Sequence, residues 1–534
     1  MTTITPSRPT ARPGRAGFAH LLRAEWTKFR TVRGWVIAVL VAILVTVLLG
    51  LFNASHSHVP PCTNGPNGTA CRYDIPTGPG GEAVTHTFYF VHRPLTADGS
   101  ITARVTSLTE VTESSQTLNG QPVSTEPAVV PWSKAGLIIT AGPGQGSAYA
   151  AVMVTGSHGT RMQWNYTGDT AGPGKGAGEV GGVTTESPRW LRLTRTGDVI
   201  TGYDSADGIH WTRIGTVTLH GLAPAAQAGL FATSPGYTQQ VSQQITSASG
   251  TAAPTDATAT FDRVGLHGGW PGSSWTGTSV NGGPDSPYVT GHESGYRQAG
   301  GAFTVTGSGD IAPDVTDGVP IDVLLAGVFI ALVAVLVVGA QFMTAEYRRG
   351  LIRATLAASP RRGRVLAAKA IVLGAVTFAA GLAGVAGAVL IGIPLLRASG
   401  NPLYPVTVLT EVRVIAGTAA LVAVLAVFAL CVGAILRHGA GAVTAVITAI
   451  ILPYLLTAAI PVLPAGAEDW VLRVTPAAGF AIRQVIPQYP QVAAGYTPSN
   501  GYFPLAPWAG FAVTCAWAAL ALALAAYLLN RRDA

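Results

Sequence analysis

Residues 341–369 read QFMTAEYRRGLIRATLAASPRRGRVLAAK, a short arginine-rich connection trapped between two long apolar runs. The run before it, residues 320–340, and the run after it, residues 370–396, each reach the roughly 20 residues that a helix needs to cross a bilayer core. Asp322 is the only charge in either run. Arg348, Arg349, Arg353, Arg361, Arg362, Arg364 and Lys369 crowd the connection, and short loops this basic stay on the cytoplasmic side of a membrane. The remaining topology follows from that one assignment.

Composition agrees. Of 534 residues, 48% are hydrophobic and only 11% charged, and mean hydropathy is +0.37, too apolar for an ordinary soluble chain of this length. The net charge of +7 does not indicate nucleic acid, because residues 53–319 hold 12 Lys/Arg against 19 Asp/Glu and the basic excess lies beside the apolar runs. Basic residues there set topology and meet anionic lipid.

Six spans are read: residues 35–52, 320–343, 366–396, 412–436, 441–463 and 508–529. An even number places both termini in the cytoplasm, with the 344–365 loop, the Arg437-His438 link and the 530–534 tail. Residues 464–507 form an external loop, and WVLRVTPAAGFAIRQVI within it is apolar enough to re-enter the membrane if protein or a wet cavity covers its backbone. Ahead of the first span, within residues 1–34, Phe18, Leu22, Trp26 and Phe29 share one face of an amphipathic stretch, read as an interfacial helix; the alternative is an ordinary positive flank. Ala380, Gly384 and Ala388 make a small-residue ridge suited to close helix packing.

Between the first two spans the pattern changes. Residues 53–319 are short alternating runs punctuated by Gly, Pro, Asn and Asp, the signature of an all-β domain inserted into an α-helical membrane protein. Thr196-Gly197-Asp198 and Ala206-Asp207-Gly208 read as hairpin turns, and the strand spacing suits a sandwich or jelly roll with inward apolar and outward polar positions alternating. Trp190 and Trp211 are expected in its core, with Trp164 the better candidate for glycan contact. Cys62 and Cys71 form a Cys-x8-Cys pair, a disulfide candidate in an oxidising compartment or else two free thiols. No metal-ligand spacing is found around them.

Two resemblances follow from particular words. KAGLIITAG, SAYAAVMVTGSHGTRMQWNY, PRWLRLTRTGDVITGYDSADGIHWTRIGTVTL, AQAGLFATSP and ATFDRVGL, within residues 132–266, resemble the concanavalin A-like lectin/glucanase jelly roll. That implies carbohydrate binding, with cell-wall glycan the candidate ligand. Hydrolysis is not implied, because the E-x-D-x-x-E pattern is missing and Glu110 and Glu113 fall outside the recognisable core.

LLRAEWTKFRTVRGW, FMTAEYRRGLIRATLAASPRRGRVLAAKA and VTPAAGFAIRQV resemble the permease subunit of an ABC-2 type transporter. By that resemblance Glu346, Tyr347, Arg348, Arg349, Gly350, Arg353, Pro360 and Arg361 belong to a cytoplasmic coupling helix that fits a cleft of an ATPase. The chain has no G-x-x-x-x-G-K-[ST] loop, so ATP and Mg are expected in a partner, and no cofactor in this chain. The family pattern implies two ATPase copies and a second permease, identical or related. Asp322 and Glu411 sit near span ends and make no proton-relay series. The contrasting reading is a membrane-anchored glycan-binding or sensor protein of the cell envelope.

Overall fold

In the computed structural model, residues 17–57, 75–112, 117–118, 121–122, 129–222, 225–244, 247–253, 255–272, 274–281, 294–348, 350–358, 361–458, 466–492 and 496–531 are described. Nine α-helices occur among them: α1 (Phe18–Thr31), α2 (Arg33–His56), α3 (Gly327–Arg348), α4 (Leu351–Ala358), α5 (Arg362–Ala398), α6 (Val408–Leu436), α7 (Gly439–Ala458), α8 (Ala467–Val474) and α9 (Pro507–Arg531). Six helical segments, α2, α3 with its lead-in, α5, α6, α7 and α9, are long and apolar enough to cross a membrane.

These helices outrun the apolar runs. The helix preceding the connection continues through Glu346 to Arg348, and the next starts at Arg362, so the 344–365 loop shrinks to α4 and its short links. A span read from apolarity alone stops at the first charge. Here the charge at Glu346 is neutralised inside the protein, and the helix continues past it.

α6 is the centre of the bundle and packs against α3, α5, α7 and α9. Small residues make the crossings close. A Cβ on Gly339 would lie 2.6 Å from the Ala426 carbonyl, and one on Gly433 would lie 2.8 Å from that of Ala340. On α5, Gly384 and Ala388 of the small-residue ridge face α2: a Cβ on Gly384 would come 3.3 Å from Thr46, and one on Gly50 3.1 Å from Ala388.

Between α2 and α3 stands a two-layer β-sandwich. One antiparallel sheet orders Thr212–Thr218, Val199–Ser205, Arg189–Thr196, Gly99–Thr112, Thr255–Gly268, Ala302–Ser308 and Gly295–Ala299. The other orders Thr276–Val280, Phe88–Leu95, Ala226–Thr233, Lys134–Thr140, Tyr149–Thr155, Thr160–Trp164 and Gly168–Ala171. Gly197 and Gly208, both at positive φ, close the two hairpin turns. Leu137, Ile139, Val152, Leu191, Leu193 and Ile200 meet in the layer between the sheets.

The second sheet departs from simple alternation. Strands Lys134–Thr140 and Tyr149–Thr155 are buried on both faces. Their outer side chains, Ile138, Ala151 and Met153, join Phe88, Tyr149, Tyr166 and Ile311 in a second core, and the strand pair Val84–His86 and Ile311–Pro313 closes the same region. His86 lies in this layer, buried, with its Nδ1 2.5 Å from the Tyr166 hydroxyl and no partner on Nε2 among the described residues. Burial pushes its pKa down to about 4.

The unfolded chain therefore takes up a proton near pH 6.5 that the folded chain refuses until about pH 4. Stability is full above pH 6.5 and falls by about 3 kcal/mol on acidification through that window. Thermal melts of the full chain between pH 7 and pH 4 are expected to show this fall, and His86→Phe is expected to flatten that part of the profile. An equal slope in both proteins would refute the assignment to His86.

The sandwich is seated on the helices at two points. Val319 pairs with Leu403 in the loop after α5, while the Tyr404 hydroxyl lies 3.5 Å from Asp314 Oδ1. In the loop before α9, buried Gln491 donates from Nε2 to the Tyr166 carbonyl at 3.0 Å.

The long loop folds back into the bundle. α8 leads to a 3-10 segment, Pro476–Arg483, whose eight residues are all buried against α6, α7 and α9. Thr514 Oγ1 donates to the Pro476 carbonyl at 2.8 Å, and Trp517 Nε1 donates to that of Val474. At 1.5 Å per residue, those partners lie roughly 10 and 15 Å along α9 from its start. The irregular backbone at that depth is covered by protein, the condition under which a membrane tolerates it.

Candidate functional site

At the end of the bundle away from the sandwich, four charges meet. Lys369 Nζ, on the first turns of α5, donates to Glu25 Oε2 at 2.7 Å and to Glu346 Oε1 at 2.6 Å. Lys28 Nζ, on α1, donates to Glu25 Oε1 at 2.8 Å and to the same Glu346 Oε1 at 2.9 Å. The set is a closed, neutral quartet. Lys369 is 0% exposed and Glu25 1%, and the Lys369 ammonium stands 4.5 Å from the ring centre of Phe342. Phe342, Phe29 and Trp35 pack with centroids 5.1–6.1 Å apart and shield the quartet on that side.

Burial alone would push the Lys28 ammonium pKa down, but hydrogen bonds to Glu25 and Glu346 outweigh it and leave it above the ordinary lysine value. Opposed charges so placed cost little together and much apart: removing one partner of a buried pair costs roughly 3–5 kcal/mol. The quartet therefore ties α1, the end of α3 and the start of α5 into one body. Thr355 of α4 stands 3.5 Å from Lys28 Nζ and brings the short helix to the same point.

α4 begins after Gly350, whose φ of 67° turns the chain sharply out of α3. Ile352 is buried, while Leu351 is 51% exposed. Arg348, Arg353, Arg361 and Arg364 lie on the surface around it. Tyr347 is held by Arg437 from the α6–α7 turn, 5.1 Å over its ring, and Arg362 Nη1 donates to the Leu529 carbonyl of α9 at 2.6 Å. Arg349 and Pro360 lie outside the described residues, as do Cys62 and Cys71.

The structure thus divides the sequence-predicted coupling residues into two groups. Glu346 is an interior anchor in the last turn of α3, whereas Arg348, Arg353 and Arg361 are surface residues around α4. Sequence reading missed Lys28 and Lys369 as partners of Glu346, and Glu25 as the second acid they share. The available signal was a lone acid in each of two strongly basic segments.

On α1, Leu22, Glu25 and Phe29 face the protein, and Phe18 is half-buried. Trp26 is 47% exposed, at the edge of the expected apolar stripe. The inward face is displaced by one position because Glu25 has lysine partners inside.

In the sandwich, the tryptophans correct the sequence reading. Trp190 and Trp211 are half-buried on the outer side of their sheet and do not belong to either core: Trp190 alternates with inward Leu191 and shares its side with Arg192. Guanidinium groups already lie near their rings, with Arg192 3.9 Å from the Trp211 centroid and Arg104 and Arg263 each 5.9 Å from that of Trp190. Trp164 packs against the inner core, with Gly168 on its ring. Glu110 accepts hydrogen bonds from Val130 N and Ser133 Oγ, which occupy it structurally.

The fold and site define a permease-type membrane component: a six-helix membrane part carrying an inserted β-sandwich. A family model described as ABC-2 family transporter protein matches residues 202–534, and the chain belongs to that family. No curated protein sequence matches the chain.

Among solved structures, a functionally unknown protein from Saccharomyces cerevisiae is 13% identical over 36% of this chain and 82% of its own, with a TM-score of 0.20. SCP-B, a peptidase of the eqolisin family, is 6% identical over 41% of this chain and 98% of its own, with a TM-score of 0.22. An alginate lyase from Klebsiella pneumoniae is 13% identical over 32% of this chain and 60% of its own, with a TM-score of 0.17. Likeness at this level extends to no ligand or activity, and the concanavalin A-like relationship stands as a sequence resemblance.

Proposed function

We propose that the chain is the membrane subunit of an ATP-driven exporter, with α4 as the seat of a separate ATPase. The observation that carries the reading is the buried quartet. A push on α4 reaches Thr355, Lys28, Glu346 and Lys369, and through them the rigid helices α1, α3 and α5. A loop that served only to orient the spans would need arginines but no such internal brace.

Permeases of this family generally work with an ATPase subunit. In this reading two ATPases carrying Mg-ATP serve two permease subunits. On the same reading the end with the arginines around α4 and the α6–α7 turn faces the cytoplasm with both termini, and the sandwich lies outside the cell; the positive-inside rule supports that orientation. α1 lies along the inner membrane surface with Trp26 toward lipid.

Co-expression of the full chain with candidate ABC ATPases from the same genome tests the reading. A stable complex with stimulated ATP hydrolysis is the expected result; a chain that binds ATP alone, or purifies without any ATPase, would overturn it.

A further inference from the structure

A second buried charge lies at the opposite end of the bundle. Arg483 closes the re-entrant segment, is 7% exposed, and lines a cavity of about 610 Å³ between the sandwich linker and the helices. Phe329 of α3, Tyr454 of α7, Tyr404 and Tyr502 line the same cavity, as does Asp322 at the head of the second span. The size suits a small ligand or a lipid headgroup.

Two groups in this lining are left wanting. Among the described residues, Arg483 Nε and the Tyr502 hydroxyl are buried without a hydrogen-bond partner. The Arg483 guanidinium lies 5.1 Å from the Phe329 ring centre and makes one long bond, Nη2 to the Asp322 carbonyl at 3.4 Å. No described ion pair within 4 Å involves Arg483 or the Asp322 carboxylate, although both line one cavity. Gly501 keeps that carboxylate open, since a Cβ there would sit 2.8 Å from Asp322 Oδ2. A buried cation with an unpartnered Nε and a half-buried carboxylate that feels its charge without an ion pair within 4 Å, both walled by aromatic rings, are the two poles of a receptor.

We infer that this cavity binds a zwitterion of the phosphate–ammonium type: its anion meets Arg483 and the Tyr502 hydroxyl, and its ammonium meets Asp322 among the tyrosine rings. Arg483 offers a planar fork of donors to a phosphate. Asp322 adds attraction for the ammonium and repels a ligand that is only anionic. The chemistry is shared by a lipid headgroup and by the free headgroup solute. The inference concerns binding alone and goes beyond the ATP-coupled reading, so either can fail without the other.

The full chain in a neutral maltoside detergent, titrated calorimetrically, tests it with three probes: dihexanoyl phosphatidylethanolamine, glycerophosphoethanolamine and dihexanoyl phosphatidic acid. Saturable binding of the first is expected, weakened at least tenfold by Arg483→Gln and at least fivefold by Asp322→Asn. Asp322→Asn is expected to leave phosphatidic acid binding unchanged or tighter. Tyr502→Phe, a milder change, is expected to weaken the zwitterion about threefold at an unchanged melting temperature, so the test survives if Arg483→Gln fails to fold. Equal binding of glycerophosphoethanolamine assigns a free solute, and binding only with acyl chains assigns a lipid; both support the inference. No saturable binding of either zwitterion, or affinities that none of the variants changes, would overturn it.

Discussion

Replacing Lys369 with Met is expected to unfold the helical part of the protein or lower its melting temperature sharply, with a loss of roughly 3–5 kcal/mol. Lys369 is fully buried and is the only cation that reaches Glu25 Oε2 among the described residues. Without it, two carboxylates share Lys28 alone, and Glu346, whose Oε2 already lacks a partner there, keeps a single ion pair. The diagnostic comparison is Glu25→Gln with Lys369→Met. That pair of changes removes one charge of each sign and leaves Lys28 facing Glu346, so the double variant is expected to melt above Lys369→Met alone. A coupling energy of about 1–3 kcal/mol is the size found for residues in one network. Fluorescence-detected size exclusion after graded heating reads it. A Lys369→Met protein that melts like the wild type, or a double variant that shows simple addition, would remove the quartet from its bracing role.

The spans were legible because an apolar run of membrane length has few other uses, and the sandwich because turn residues recur between alternating runs. The ends of the spans were not. Glu346 looks like a boundary until Lys28 and Lys369 are known to surround it, and Lys28 is 318 residues away in sequence. Glu25 looks like one acid in a basic flank, and no periodicity pairs it with Lys369. The tryptophans are a different case. Trp190 and Arg192 share a parity opposite to Leu191 and Leu193, so their outward side was readable from the strand. Reading them as core rested on the general habit of aromatic residues in sandwiches and ignored that alternation. Arg483 was hidden for a third reason: its segment is 3-10, and neither a helical nor a strand period describes it.

Leu351→Asp is expected to abolish capture of the ATPase while leaving the isolated chain as stable as before. α4 has eight residues, too few to persist in water by propensity alone. It is held by the Gly350 turn, by buried Ile352 and by the approach of Thr355 to Lys28, and none of these involves the Leu351 side chain. An aliphatic residue 51% exposed among surface arginines, on a helix fixed by other means, is suited to a partner's cleft and contributes little to folding. A charge placed on a central apolar anchor of an interface costs 2 kcal/mol or more, which is about thirtyfold in affinity. Ile352→Ala supplies the contrast. Its buried side chain belongs to the same core as Phe342 and Leu366, so its removal is expected to cost about 2–4 kcal/mol of stability and to lower the melting temperature first. The two neighbours thus separate docking from folding: one variant should melt normally without its ATPase, the other should melt early and bind it when folded. If Leu351→Asp keeps both the complex and its stimulated hydrolysis, α4 is not the seat, and the arginines around it serve only to set topology.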